Sequence, residues 1–364
     1  MRRREFTVGL SVLTLTAACS SGDRLYIGVA APMSGPQTVQ GEYIKKGVQL
    51  AVDEVNAKGG ISGKLVELVV EDDEARPDAA VAVANKLANN AAVLAVIGHF
   101  NSGCSIPASQ IYSDSGLAML TPGSTAVKLT DRGLTNILRL VGRDDQQSRI
   151  LADFALGPLS AKKIAILHDN TPYGKELADY FRRDVAGRAQ VLFFEGITQG
   201  DKDFRAVLTR IKTLAPDTLF FGGVFVEGGL MVRQARELGL AARFLSGDGS
   251  KDQTFIELAG SNTGDIYIAG PKVIDNQTFV EAYRSRYSEE PGPFSPYSYD
   301  AARLLLTALA RTTPPSRDAV RAELKKLRDF QGLAGTITFD KRGDRTEALF
   351  DVFKIQDGKF TPYT

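Results

Sequence analysis

The chain has 364 residues, 43% of them hydrophobic and 24% charged, with 44 Lys and Arg against 43 Asp and Glu. That length suits about two domains with sizeable cores. A net charge of +1 excludes the basic excess of a nucleic-acid binder, so the expected partner is a small molecule or a protein.

The first element is MRRREF, with Arg2, Arg3 and Arg4. The apolar stretch Phe6–Ala18 is too short to span a bilayer, which takes about 20 residues, but suits the core of an export signal. Residues 1–18 are therefore read as a signal peptide. Ala17 and Ala18 before Cys19 resemble a bacterial lipobox, in which the cysteine is cut free and acylated; Thr16 stands where that motif has leucine. A plain secretory signal is the other reading. Arg3-Arg4-Glu5-Phe6 also resembles a twin-arginine signal. Cleavage before Cys19 would remove three arginines and one glutamate, taking the charge from +1 to −1. Cys104 would then be the remaining free thiol, so no intrachain disulfide is expected.

Strands and helices then alternate. Leu25–Ala30 reads as a strand. Gly41–Ala57 reads as a helix, with Ile44, Gly47, Val48, Ala51, Val52 and Val55 on one face. Strands follow at Leu65–Val70, Val93–Ile97 and Leu117–Leu120, with helices at Asp78–Asn89 and Ile106–Ser115. The pattern restarts with strands at Lys163–Leu167, Val191–Phe194, Thr218–Phe221 and Phe244–Leu245, and helices at Gly174–Val185, Asp203–Leu214 and Glu227–Leu238. Helices at Asn276–Tyr287, Tyr297–Arg311 and Arg317–Leu327 close the series. Thr336–Phe339 and Leu349–Ile355 read as strands joined by a hairpin or bent connection. Near-continuous apolar strands separated by helices indicate two α/β lobes with parallel sheets.

Ligands of such sheets bind beyond the carboxyl ends of the strands. In the first series those loops are rich in Gly, Ser and Thr. Ser102 and Thr125 offer hydroxyls, and the Gly123 and Thr125 amides offer backbone donors, a set that suits a carboxylate. In the second series Tyr173 offers a ring with a polar tip and Asp248 a carboxylate between glycines. Opposed in one cleft, these would fit a zwitterion. Each residue has a second reading: Ser102 and Thr125 as helix caps, Asp248 as a turn residue, Tyr173 as packing at a helix start. His99 and Cys104 leave a cysteine nucleophile open, although nothing nearby in sequence orients a base. Asp72-Asp73-Glu74 reads as a solvated loop. No nucleotide, serine-hydrolase or zinc-protease motif is present. His99 and His168 lack metal-ligand spacing, so neither metal nor cofactor is expected.

Several stretches taken in order resemble the leucine/isoleucine/valine-binding proteins of bacterial ABC importers, within the type I periplasmic binding fold. They include IGVAAPMSGPQTVQGEYIKKGVQLAVDEVNAKGGISGK, VIGHFNSGCSIPASQIY, TPGSTAVKLTDRG, ILHDNTPYGKELAD and TLFFGG, and extend to GTITFDKRGD. The resemblance implies two Rossmann-like lobes joined by a three-strand hinge. The first would be residues 25–142 plus 273–335, after a lipid-anchored linker at 19–24; the second would be 143–272 plus 336–364. It implies that Ser102, Gly123 and Thr125 hold a ligand carboxylate, that Asp248 meets the ammonium and that Tyr173 covers the ligand. The family's leucine-type members have tyrosine at the position of Gln40 and near Val224. Both would border the ligand side chain, with Phe225, Phe294 and Tyr297 as further apolar walls. A family disulfide joins the positions of Asn101 and Ala75, so here it is absent. The implied protein is a monomeric, non-enzymatic lipoprotein anchored through Cys19, in the periplasm or on the outer face of the cytoplasmic membrane. It would pass a branched-chain or other neutral or polar amino acid to a membrane permease. A ligand-sensing receptor component, a binder of another carboxylate and a structural lipoprotein are the alternatives.

Overall fold

A computed structural model describes residues 24–261, 263–347 and 349–363. The signal segment and Cys19 lie outside the described residues.

The first sheet is parallel and five-stranded. It contains β1 (Arg24–Ala31), β2 (Leu65–Asp72), β3 (Val93–Gly98), β4 (Ala118–Thr121) and β5 (Ile137–Arg139), in the order β2-β1-β3-β4-β5. Its crossovers carry α1 (Thr38–Asn56), α2 (Pro77–Asn89), α3 (Ser102–Asp114) and the short α4 (Lys128–Asp131). Then α5 (Asp144–Leu156) leads into a second alternation. This runs β6 (Lys163–His168), α6 (Pro172–Val185), β7 (Gln190–Gly196), α7 (Arg205–Thr213), β8 (Thr218–Gly222), α8 (Phe225–Glu237), β9 (Arg243–Ser246), α9 (Gln253–Ala259) and β10 (Ile266–Pro271).

The chain then returns to the first lobe with α10 (Gln277–Tyr287), α11 (Ser295–Ala310), α12 (Arg317–Lys326) and a small hairpin of β11 (Phe330–Gly332) and β12 (Gly335–Ile337). It finishes with β13 (Phe350–Gln356), which adds antiparallel to β10, and β14 (Lys359–Pro362), which adds antiparallel to β13. The second sheet is thus β14-β13-β10-β9-β8-β6-β7.

Each sheet is buried on both faces, as near-continuous apolar strands require. On one side of the first sheet Ile27 and Val29 pack with Ile44 and Val48 of α1 and Leu304 and Leu305 of α11. Helices α1 and α11 approach so closely that a Cβ on Gly47 would lie 2.4 Å from Ser295 O, so this contact demands glycine. The opposite face buries Val83, Leu87, Val96 and Tyr112. In the second lobe Phe181 and Phe220 stack at 3.9 Å on one face, while Phe221, Phe244 and Phe255 fill the other.

Several expectations are adjusted. Helix α1 begins at Thr38 rather than 41, and α3 at Ser102 rather than 106. The Gly- and Ser-rich start of α3 looks like loop, but first-turn amides need no intrahelical acceptor, so small residues are tolerated there. The strands near residues 336 and 350 do not pair with each other: β12 pairs with β11, and β13 with β10. The connection between them is the bent one. The expected boundary between 335 and 336 falls inside β12, whose Ile337 packs in the first core. Asp73 is fully buried while Asp72 is half-buried and Glu74 exposed, so the acidic run is solvated only in part.

The lobes are joined by crossings at 140–143, 272–276 and 338–349, and a buried ion network locks them. Arg139 Nε donates to Asp344 Oδ1 at 2.8 Å and Arg143 Nη1 to Asp344 Oδ2 at 2.5 Å. Burial alone would raise the Asp344 carboxyl, but Arg139 and Arg143 overcome it and hold it below its ordinary value. A depressed carboxyl contributes stability that is present above the unfolded-state pKa and lost as pH falls through the folded one. Asp344→Asn is therefore expected to cost about 3–5 kcal/mol in urea unfolding at neutral pH, since it strands buried guanidinium charge. The penalty should shrink in acid; a penalty that stays constant across pH would contradict the assignment.

Candidate functional site

One cavity lies between the two sheets, and the loops that line it follow strands. Ala75 and Pro77 follow β2, Phe100 to Gly103 follow β3, and Gly123 follows β4. From the other side Asp169 and Thr171 to Tyr173 follow β6, Gln199 follows β7, Val224 follows β8, and Asp248 and Gly249 follow β9. This is where open α/β sheets place ligands, here with two sheets facing one another.

The first-lobe wall is made of donors. Asn101 takes an extended conformation before α3, with its Nδ2 held by Gln37 Oε1 at 2.8 Å. Helix α3 then aims the unspent first-turn amides of Ser102 and Gly103 along the wall, the positive end of a helix dipole. Ser102 Oγ accepts from Ala126 N at 3.2 Å, which leaves its own proton to donate. Phe100 closes this side, edge-on to Phe294 at 5.0 Å. A Cβ on Gly123 would lie 2.5 Å from Phe100 Cδ2, so only glycine admits that ring.

The second-lobe wall is made of acceptors. Asp248 Oδ1 accepts from Tyr173 Oη at 2.7 Å and from Gln147 Nε2 at 2.9 Å. Tyr173 Oη in turn accepts from Gly249 N, and Gln147 Oε1 from Asp248 N, both at 2.9 Å. Both side-chain donors fall on Oδ1, which leaves Oδ2 to the cavity. Burial raises the Asp248 carboxyl despite those donors, the condition of a carboxylate awaiting a cation. Asp169 is similar: Thr171 caps its Oδ1, while Oδ2 is buried without a partner and burial pushes the group up to about 7.

Polar contacts cross between the lobes beside the cavity. Glu176 Oε1 of α6 accepts from Val127 N at 2.6 Å, and Gln40 Nε2 of α1 donates to Asp252 Oδ2 at 2.8 Å.

Of the residues singled out from sequence, Ser102, Gly123, Tyr173, Val224 and Asp248 line the cavity. Thr125 sits one layer behind, 1% exposed, with its hydroxyl unpartnered. Four side-chain-pocket residues lie outside the lining. Gln40 is engaged with Asp252. Phe225 is fully buried in the second core. Phe294 backs Phe100, and Tyr297 donates to Lys272 O near the crossing at 3.3 Å. A buried aromatic beside a cleft cannot be told from one inside it by position in sequence.

The cysteine-nucleophile alternative fails on geometry. Both nitrogens of His99 are occupied, Nδ1 by Asp73 Oδ2 at 2.6 Å and Nε2 by Tyr112 Oη at 3.0 Å. Cys104 is fully buried, and burial pushes its thiol far up, away from the reactive thiolate. Sequence reasoning missed Asp144 and Gln147. Their signal was the polar start of α5, unread because β5 before it has only three residues.

Two α/β lobes closing on a cavity with donors on one wall and carboxylates on the other define a two-lobed solute-binding protein. The family model described as periplasmic binding protein matches residues 24–359, and the chain belongs to that family. It is 37% identical to an amino acid binding protein of Pseudomonas aeruginosa, over 99% of both chains. It is 34% identical to a Leu/Ile/Val-binding protein homolog 1 of Brucella abortus, again over 99% of both. Among solved structures it is similar to the branched-chain amino acid transporter substrate binding protein LivJ of Streptococcus pneumoniae in complex with isoleucine. That match has 29% identity and a TM-score of 0.86, covering 93% of this chain and 97% of that one. The fold is accordingly that of type I periplasmic binding proteins, a family of solute carriers rather than enzymes.

Tyr173→Phe removes the donor to Asp248 and the acceptor of Gly249 N. Each unmet buried group costs about 1–3 kcal/mol, so urea unfolding should show a loss in that range. A variant as stable as the parent would mean that Tyr173 is only a lid over the cavity.

Proposed function

We propose that this protein is the extracytoplasmic solute-binding component of an ABC importer for neutral α-amino acids. The observation that carries it is the opposition of the walls: helix amides and the Ser102 hydroxyl on one, the Asp248 carboxylate on the other. An α-amino acid presents the complementary pair, a carboxylate and an ammonium on one carbon. Ser102, with the first-turn amides of α3, the Thr125 amide and the Gly123 amide, which only loosely meets Thr121 Oγ1 at 3.4 Å, receives the carboxylate. Asp248 Oδ2 receives the ammonium, and Tyr173, which braces Asp248, covers the ligand from the second lobe. Charge-assisted hydrogen bonds contribute roughly 1.5–3 kcal/mol each. Four or five, less the cost of ordering, reach the roughly −8 kcal/mol of a micromolar site.

The relatives support the amino-acid class, since one is named an amino acid binding protein and another holds isoleucine. The lining adds detail. Beyond the polar groups it offers Phe100, Pro77, Pro172 and Val224, with Asn101 and Gln199 as polar additions. A compact, uncharged side chain fits this lining. The importer reading implies a membrane permease as partner, with acylated Cys19 holding the mature monomer at the outer face of the cytoplasmic membrane or in the periplasm. The two lobes, with β12 counted in the first, would open and close about the crossings.

A thermal-shift screen against the standard amino acids tests the reading directly. A ligand at 100 times its Kd adds about 2.7 kcal/mol to stability; no shift with any amino acid would refute it. Asp248→Asn should weaken an amino acid found in that screen about 100-fold or more, the effect of breaking a buried charge pair, yet change binding of its deaminated analogue far less. Equal losses would remove Asp248 from the ammonium role. Cys19→Ser should release the mature protein from the membrane fraction on immunoblots, whereas unchanged fractionation would exclude the lipid anchor.

A further inference from the structure

Asp144 opens α5 directly after the crossing residue Arg143, and its N–H donates to Thr125 O at 2.9 Å. That bond ties the second lobe's first helix to the first lobe's ligand loop. The side chain is fully enclosed, at 0% exposure, and neither Oδ1 nor Oδ2 meets a donor. The Thr125 hydroxyl lies beside it, near enough to favour its ionised form slightly, yet outside strict hydrogen-bond geometry.

The charged and titratable groups facing Asp144 come from three elements. Asp248 faces it from the loop after β9, Glu176 and Tyr173 from α6, and Arg139 from β5. Arg139 is already spent on Asp344, Thr130 and the carbonyls of Ser124 and Ala126. Neighbouring Arg143 serves Asp131, Asp145 and Asp344. Glu176 is occupied by the Val127 and Lys128 amides. Asp144 is therefore a buried carboxylate with no cation of its own, one helical turn before Gln147, which bonds the second carboxylate, Asp248. Lys251 also acts on Asp248, but its Nζ donates to Pro271 O at 3.3 Å and lies over the Phe353 ring.

We propose that Asp144 and Asp248 form a two-carboxylate ammonium subsite that shares one proton when empty and releases it when a ligand ammonium binds. The balance is simple: the protonated pair plus an ammonium gives the ion-paired complex plus one proton to solvent. Two like charges enclosed together cannot both ionise cheaply, and a cation relieves both at once. Burial first, then each other's charge, raises the Asp144 carboxyl, in keeping with this. The unpartnered Thr125 hydroxyl is then a donor held in reserve for the pair or for the ligand. The consequence is pH-sensitive capture: affinity falls by about tenfold for each pH unit below the pair's titration, so a more acid exterior favours release.

The inference rests on the amino-acid reading, and the test separates the two. The first arm uses ligand-free protein. A carboxyl raised in the folded state contributes stability when protonated and loses it as pH rises through its folded pKa. The melting temperature of Asp144→Asn should therefore gain on that of the parent as pH rises from the ordinary carboxyl range through the raised one. A pH-independent difference would overturn the shared proton. If Asp144→Asn does not fold, Asp248→Asn relieves the same pair and is read the same way. The second arm is calorimetry with the amino acids that pass the thermal screen, in phosphate and in Tris at one pH. About one proton should be released per ligand by the parent and none by Asp144→Asn. No release by the parent, or equal release by the variant, would overturn the subsite. If no amino acid binds, the importer reading falls and the ammonium role with it, while the melting arm still judges the pair.

Discussion

The Arg139–Asp344 ion pair sets the geometry on which the rest depends. Arg139 is fully buried at the end of β5, where the chain leaves the first lobe, and Asp344 lies on the last crossing back to the second. A buried guanidinium must place all its donors. Nε goes to Asp344, Nη2 to Thr130, and Nη1 to the carbonyls of Ser124 at 3.0 Å and Ala126 at 2.8 Å. Those carbonyls flank Thr125. The residue that joins the crossings thus also shapes the loop that carries Thr125 and, through the Thr125 carbonyl, the start of α5. A hinge and a binding loop are held by one side chain, so a change in lobe angle is felt at the site.

Electrostatic asymmetry follows from the two sheets. Strand carboxyl ends lead into helix amino ends, so each lobe offers amides at its rim. In the first lobe α3 presents them with only Ser102 and Gly103 in the way. In the second lobe the same geometry is overridden: Thr171 caps α6 with its own hydroxyl, and Asp248 and Asp169 bring carboxylates to the rim. The Gln147–Tyr173–Asp248 ring holds Asp248 against the cost of its burial, because two donors on Oδ1 stabilise the ionised form without covering Oδ2. The braced carboxylate is therefore rigid and only half-satisfied, which is what a cation site requires.

Much of this is legible in sequence because apolar runs and Gly/Ser-rich loops carry their own periodicity. The alternation of the runs marks out the two lobes, and the positions of Ser102, Gly123, Tyr173 and Asp248 in the loops between them assign those residues to strand ends. What stays hidden depends on contacts between distant segments. Strand β5 is three residues long, below the length at which periodicity speaks, and its loss hides α5 with Asp144 and Gln147. Gln40 reads as a pocket residue by its position, yet its partner is Asp252, 212 residues away. His99 and Cys104 draw attention by rarity. Asp73 and Tyr112 show instead that His99 is a structural histidine, tied into the core on both sides.

The inter-lobe contacts explain why ligand should govern closure. Glu176 capping the Val127 amide and Gln40 bonding Asp252 are few and polar, and each exchanges a bond with water for a bond in the cleft. Such exchanges are worth only about 0.5–1.5 kcal/mol net. Against them stands the closed cleft's own penalty, since Asp144, Asp248 and Asp169 are brought into low dielectric with too few donors. Whatever neutralises those carboxylates therefore favours the closed form. A zwitterion does so without adding net charge, and it does so only when both walls reach it. On the proposed amino-acid reading, closure and recognition are the same electrostatic event, and the cation that Asp248 lacks is the one the ligand brings.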